Sequence, residues 1–178
     1  NSEKKRINEN IADEKERTAL IQKVEKWLDD EVRGIKQEKA DKEAEQRAED
    51  LKKTQELAEK KLNVEKTLNE QEHAANKALF EWRELAAGNN AKELAKIKKE
   101  QLDAELKYLL EKLRIEEAEE KAKAERDVTN SDQLGTAIKN IEDRFRNERL
   151  TAEKKTADEI KQVEKELKEA RNARWKEG

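Results

Sequence analysis

Ala44-Glu45-Gln46-Arg47-Ala48-Glu49-Asp50-Leu51-Lys52-Lys53-Thr54-Gln55-Glu56-Leu57-Ala58-Glu59-Lys60-Lys61-Leu62 is the stretch that decides the fold. Ala44, Ala48, Leu51, Gln55, Ala58 and Leu62 recur in a four, three, four, three, four rhythm, with Gln55 the one polar member. That is the heptad spacing of a coiled-coil seam, because residues three and four apart share one face of a helix. A strand would instead alternate every second residue.

The rhythm extends in both directions. Upstream, Ile21, Val24, Leu28, Val32 and Ile35 keep to one stripe, interrupted by Gly34, which permits a soft hinge but does not require one. Downstream, the seam drifts to Ala75, Ala78, Trp82 and Leu85. The sequence therefore predicts a first long helix over 1–87.

Gly88-Asn89-Asn90 is the sharpest punctuation, since glycine and asparagine tolerate the left-handed backbone that ends helices. A second helix is expected over 91–128, with Leu94, Ile97, Leu102, Leu106, Leu109 and Leu113 on its stripe. Thr129-Asn130-Ser131-Asp132 is rich in capping residues and places Thr129 and Asp132 at capping-box separation, so a break is expected over 129–132. A third helix over 133–178 carries Leu134, Ile138, Ile141 and Phe145, then Ile160, Val163, Leu167 and Ala170.

Composition supports an all-α chain without a compact core. Of 178 residues, 48% are charged, 33% hydrophobic and none is proline, although ordinary usage would supply about nine. Proline inside a helix costs about 3 kcal/mol, so its absence fits long unbroken helices. Acid-to-base pairs four apart, such as Glu38 with Lys42 and Glu164 with Lys168, are expected to support exposed faces at about 0.2 to 0.5 kcal/mol each. The fold class expected is long coiled-coil-type helices, in an elongated hairpin or rod. In a hairpin about Gly88–Asn90, facing residue numbers sum to roughly 178, which sets Ala58 against Ala118 and Ala122, and Leu68 near Leu110.

Function classes narrow by chemistry. Forty-one basic and 44 acidic residues give a net charge of −3 with the signs interleaved, which supplies no field for nucleic acid or anionic lipid. The doublets Lys52-Lys53, Lys60-Lys61, Lys98-Lys99 and Lys154-Lys155 are each flanked by acids and read as solvated faces. There is no cysteine, no phosphate-cradling glycine loop, no nucleophile elbow and no run of about 20 apolar residues. The single histidine, His73, reads as solvent-facing or at a seam edge. Carboxylates need burial to do acid–base work, and so few apolar residues build no pocket for it. No catalytic, cofactor or metal residue is therefore assigned, and no enzyme is expected. Trp82, beside Phe80, is expected to plug a hairpin tip; Trp27 lies in the upstream stripe, and Trp175 reads as a contact to further chain. The start at Asn1-Ser2-Glu3 and the lack of methionine lead to the expectation that this is the ordered part of something larger.

Two stretches share one construction: Glu84-Leu85-Ala86-Ala87-Gly88-Asn89-Asn90-Ala91-Lys92-Glu93-Leu94-Ala95-Lys96-Ile97, and Asn130-Ser131-Asp132-Gln133-Leu134-Gly135-Thr136-Ala137-Ile138-Lys139-Asn140-Ile141-Glu142-Asp143-Arg144-Phe145-Arg146-Asn147-Glu148-Arg149. Each links charged helices through a brief polar break. From about Glu38 onward this resembles the helical arrays of tail tape measure proteins from phages and phage-like contractile injection systems. The resemblance implies an elongated helical protein in the lumen of a tail tube, setting tube length and leaving ahead of the cargo. Its partners would be tube-lining proteins or further copies of itself. Two rival readings stand beside it: the receptor-binding or translocation hairpin of a colicin-like toxin, and a generic coiled-coil scaffold.

Overall fold

The computed structural model describes residues 2–177, with side chains described from Asp13 to Lys176. The protein is all-α: 96% of the chain is helical, and the described residues form three helices, α1 (Ser2–Ala87), α2 (Ala91–Asp127) and α3 (Ser131–Glu177). It divides into two units, one ending at Thr54 and the other running from Gln55 to Gly178.

In the first unit α1 is continuous through Gly34, which permits a hinge without requiring one. A single glycine costs only about 1 kcal/mol, which the ladder around it absorbs. Every described residue from Asp13 to Thr54 is exposed, including Ile21, Val24, Trp27, Leu28 and Ile35.

The second unit is an antiparallel three-helix arrangement. Gly88 takes φ +56°, the left-handed conformation that ends α1, and its N–H donates to Leu85 O at 3.3 Å. Asn90 then caps α2, with Glu93 N–H donating to its Oδ1 at 3.1 Å. The chain turns back, and α2 lies against the last part of α1 as a hairpin. Cross-helix pairs run Glu65–Arg114, Asn69–Tyr108, Glu72–Lys107 and His73–Glu105, whose numbers total 177 to 179. Nearer the turn the register slips to totals of 183 to 185, at Arg83–Glu100 and Glu84–Gln101.

The second break lies at Val128–Asn130, and α3 starts at Ser131, two residues before the expected point. Asn130 is the reason. Its Oδ1 accepts from Asp132 N–H at 3.0 Å and Gln133 N–H at 3.1 Å, so Asn130, rather than Thr129, is the cap.

Among the described residues the core lies in α2 and α3: Ile97, Leu113, Ile115, Phe145 and Ala152 are buried, with Ile97 and Ile115 each 1% exposed. Ion pairs flank it across α2 and α3, at Lys99–Glu164 (3.0 Å), Lys121–Glu142 (3.1 Å), Arg149–Glu117 (2.6 Å) and Arg144–Glu120. Glu164, which the sequence sets beside Lys168, thus turns to Lys99 across the seam.

Candidate interaction face

The stretch of α1 in the second unit has two faces of opposite chemistry. Toward α2 it turns Glu65, Asn69, His73, Asn76, Phe80 and Arg83, all partly covered and spaced four, four, three, four and three. That face is polar, and its bonds are specific. Asn69 Nδ2 donates to Tyr108 O at 3.2 Å, Arg114 reaches Glu65 at 2.8 Å, and Arg83 binds Glu100. Arg114 is also held by Glu111 of its own helix at 2.7 Å, and these two carboxylates hold its guanidinium further above its ordinary range. The guanidinium of Arg83 also lies 5.5 Å from the Phe80 ring centre, a cation–π distance.

His73 sits in the middle of this seam, its side chain 30% exposed. Its Nε2 lies 2.7 Å from Glu105 Oε2, and its ring stacks on Tyr108 with centroids 3.9 Å apart and planes 16° from parallel. The histidine is thus part of the helix–helix joint, held by one carboxylate and one ring. Among the described residues, no group of histidine, cysteine or carboxylate side chains is placed to hold a metal ion.

The other face is apolar and uncovered. Leu57, Val64, Leu68, Trp82 and Leu85 are 58 to 82% exposed, and they fall on the sequence 57, 61, 64, 68, 71, 75, 78, 82, 85. This is an unbroken alternation of four and three, filled by Lys61, Gln71, Ala75 and Ala78 at the other places. His73 and Ala75 are two residues apart, about 200° around the helix, so the polar seam and this stripe lie on opposite sides.

That geometry corrects the expectation for Trp82. Phe80 is half-buried toward α2, but Trp82, two positions on, is 67% exposed and points away, so no aromatic plug locks the hairpin tip. It also corrects the seam. Ala75, Ala78, Trp82 and Leu85 form a regular stripe, but not the one that meets α2. The periodicity of apolar residues does not reveal the polar seam. A second four-three repeat of Asn69, His73, Asn76, Phe80 and Arg83 is present in the sequence, and only its lack of hydrophobicity hid it.

Trp27 and Trp175 are 60% and 88% exposed. Of the basic doublets, Lys99 binds Glu164, while Lys60, Lys61, Lys154 and Lys155 are exposed. No described helix is long and apolar enough to cross a membrane. The chain matches no known protein family, no curated protein and no solved structure.

Proposed function

We propose that the chain is a structural helical spacer that works through helix length and through the faces its helices present, and that it serves as a segment of a tail tape measure protein. The observation that carries the reading is α1: 86 residues of helix, with every described side chain up to Thr54 turned to solvent. Burying so little of a helix gives up most of the hydrophobic contribution that normally stabilises one. Such an arrangement suits a part whose extent and exposed stripes are the working features.

If length is the functional quantity, deleting one heptad from the region Ala40 to Leu62 keeps the stripe in phase and shortens the host tail by about 10 Å. Deleting three or four residues instead rotates the stripe and lowers stability more than the larger cut. Tails of unchanged length in electron micrographs after the heptad deletion would overturn the ruler reading.

The antiparallel joint of α1 and α2 favours one alternative, the spacer hairpin of a colicin-like toxin, in which long charged helices hold a receptor-binding tip. An immunity gene beside the coding sequence, or saturable binding of the chain to bacterial outer-membrane receptors, would decide for that reading.

A further inference from the structure

We propose that the outward stripe of α1 between Leu57 and Leu85 is a self-association face, on which a second copy of this chain packs as an antiparallel coiled coil. The inference stands apart from the ruler reading and holds or fails without it.

A heptad repeat carried through nine consecutive places keeps a seam facing a partner helix along its whole length. Here that seam turns away from α2, with Leu68 at its edge bordering the groove that Leu106 and Leu110 line, and Leu57, Val64, Leu68, Leu79, Trp82 and Leu85 are 51 to 82% exposed on or beside it. Each withdraws on the order of 60 to 100 Å² when covered, taking about 25 cal/mol per Å² against the worth of a buried aliphatic side chain. Two copies together bury roughly 1,000 Å² or more once the alanines and flanking stems are counted, which reaches the lower range of specific interfaces.

The residues in the seam choose the orientation. A parallel pair would set Lys61 against Lys61 and Trp82 against Trp82 in the same layers, a like-charge contact and an overfilled one. The antiparallel register in which facing numbers sum to 139 sets Trp82 against Leu57, Val64 against Ala75, Leu68 against Gln71 and Lys61 against Ala78. Large then meets smaller throughout, and the Lys61 stem crosses an alanine with its ammonium free to reach water. Charge agrees. Beside the seam, Lys60 of each copy faces Glu81 of the other. The one like-charge pair, Glu65 with Glu72, involves carboxylates already held by Arg114 at 2.8 Å and Lys107 at 3.7 Å on the α2 side.

The test uses the full chain, which contains no cysteine. Sedimentation at tens of micromolar is expected to show twice the 20.8 kDa chain mass. Leu68→Glu should weaken this dimer at least tenfold and leave far-UV circular dichroism unchanged, since Leu68 is exposed in the single chain. Mixing a Val64→Cys chain with an Ala75→Cys chain under mild oxidation is expected to give the mixed disulfide, because those positions face each other only in the antiparallel register. A monomer at all concentrations overturns the proposal, as does a dimer indifferent to Leu68→Glu. Disulfide formation by Ala75→Cys with itself, in place of the mixed product, overturns the antiparallel arrangement.

Discussion

Two glycines in this chain make opposite demands on the backbone. Gly88 takes φ +56° at the hairpin turn, with nothing within 4 Å of where a Cβ would sit, so its need for glycine is conformational alone. Gly88→Ala should therefore cost about 1 kcal/mol. Gly34 has equally open surroundings but lies within continuous helix, so Gly34→Ala should gain up to about 1 kcal/mol. Thermal melts that move the same way for both variants would contradict this assignment. Asn130→Ala should cost about 1 kcal/mol by leaving two N–H groups uncapped, whereas Thr129→Ala should cost little. Glu117 has the lowest exposure of the ion-paired side chains described, 13%, and lies between Arg149 at 2.6 Å and Lys121 at 3.5 Å. Burial pushes its carboxyl up, but Arg149 and Lys121 outweigh that and hold it below the ordinary carboxylate range. A carboxylate depressed in the folded state contributes stability above its unfolded value, about 4.3, and loses it as pH falls through the lower folded value. Glu117→Gln should accordingly lower the melting temperature at pH 7, with the difference from the parent shrinking below about pH 4.

At the scale of the element, α1 in the second unit is amphipathic in an unusual sense: mostly polar residues, with Phe80 among them, make its intramolecular joint and an apolar stripe faces solvent. Hydrogen bonds hold the hairpin where hydrophobic burial would be expected to. Asn69→Ala removes the donor to Tyr108 O and should destabilise the chain by about 1 kcal/mol. Leu68→Ala, one residue earlier and 58% exposed, should change stability by no more than about 0.5 kcal/mol when measured at sub-micromolar concentration. Denaturant titrations in which Leu68→Ala is the more damaging would show that the outward face is covered within the single chain. In α2 the balance is ordinary. Ile115, 1% exposed, should cost about 2 to 4 kcal/mol as alanine, because the cavity sits between packed helices that cannot collapse onto it.

Over the whole molecule, protection is expected to be uneven, since among the described residues burial is confined to the unit from Gln55 onward. The described side chains up to Thr54 are all exposed, and their helix rests on propensity and local pairs. Hydrogen exchange of the intact chain should therefore show amides of residues 13–54 exchanging orders of magnitude faster than those around Ile97, Ile115 and Phe145. Uniform protection along α1 would mean that a partner covers the first unit's stripe.

The all-α class was legible from composition and period, because a chain without proline and with apolar residues three and four apart satisfies its backbone only as helix. The left-handed turn was legible at Gly88 because few residues other than glycine tolerate that conformation. The α3 stripe through Ile138, Phe145, Val163 and Leu167 was legible too, since hydrophobic burial leaves a compositional trace, and these residues are covered or partly so. The tertiary structure alone decided which face of α1 meets α2. Hydrogen bonds such as Asn69 to Tyr108 and the His73–Glu105–Tyr108 joint depend on distances between residues more than thirty positions apart, and they leave no apolar period to read. The same holds for Glu117 and Arg149, which come from different helices, and for Trp82, whose position in the sequence gives its stripe but not what that stripe faces. Period specifies which residues share a helix face; which face turns inward depends on the partner helix, and here α2 takes the polar one.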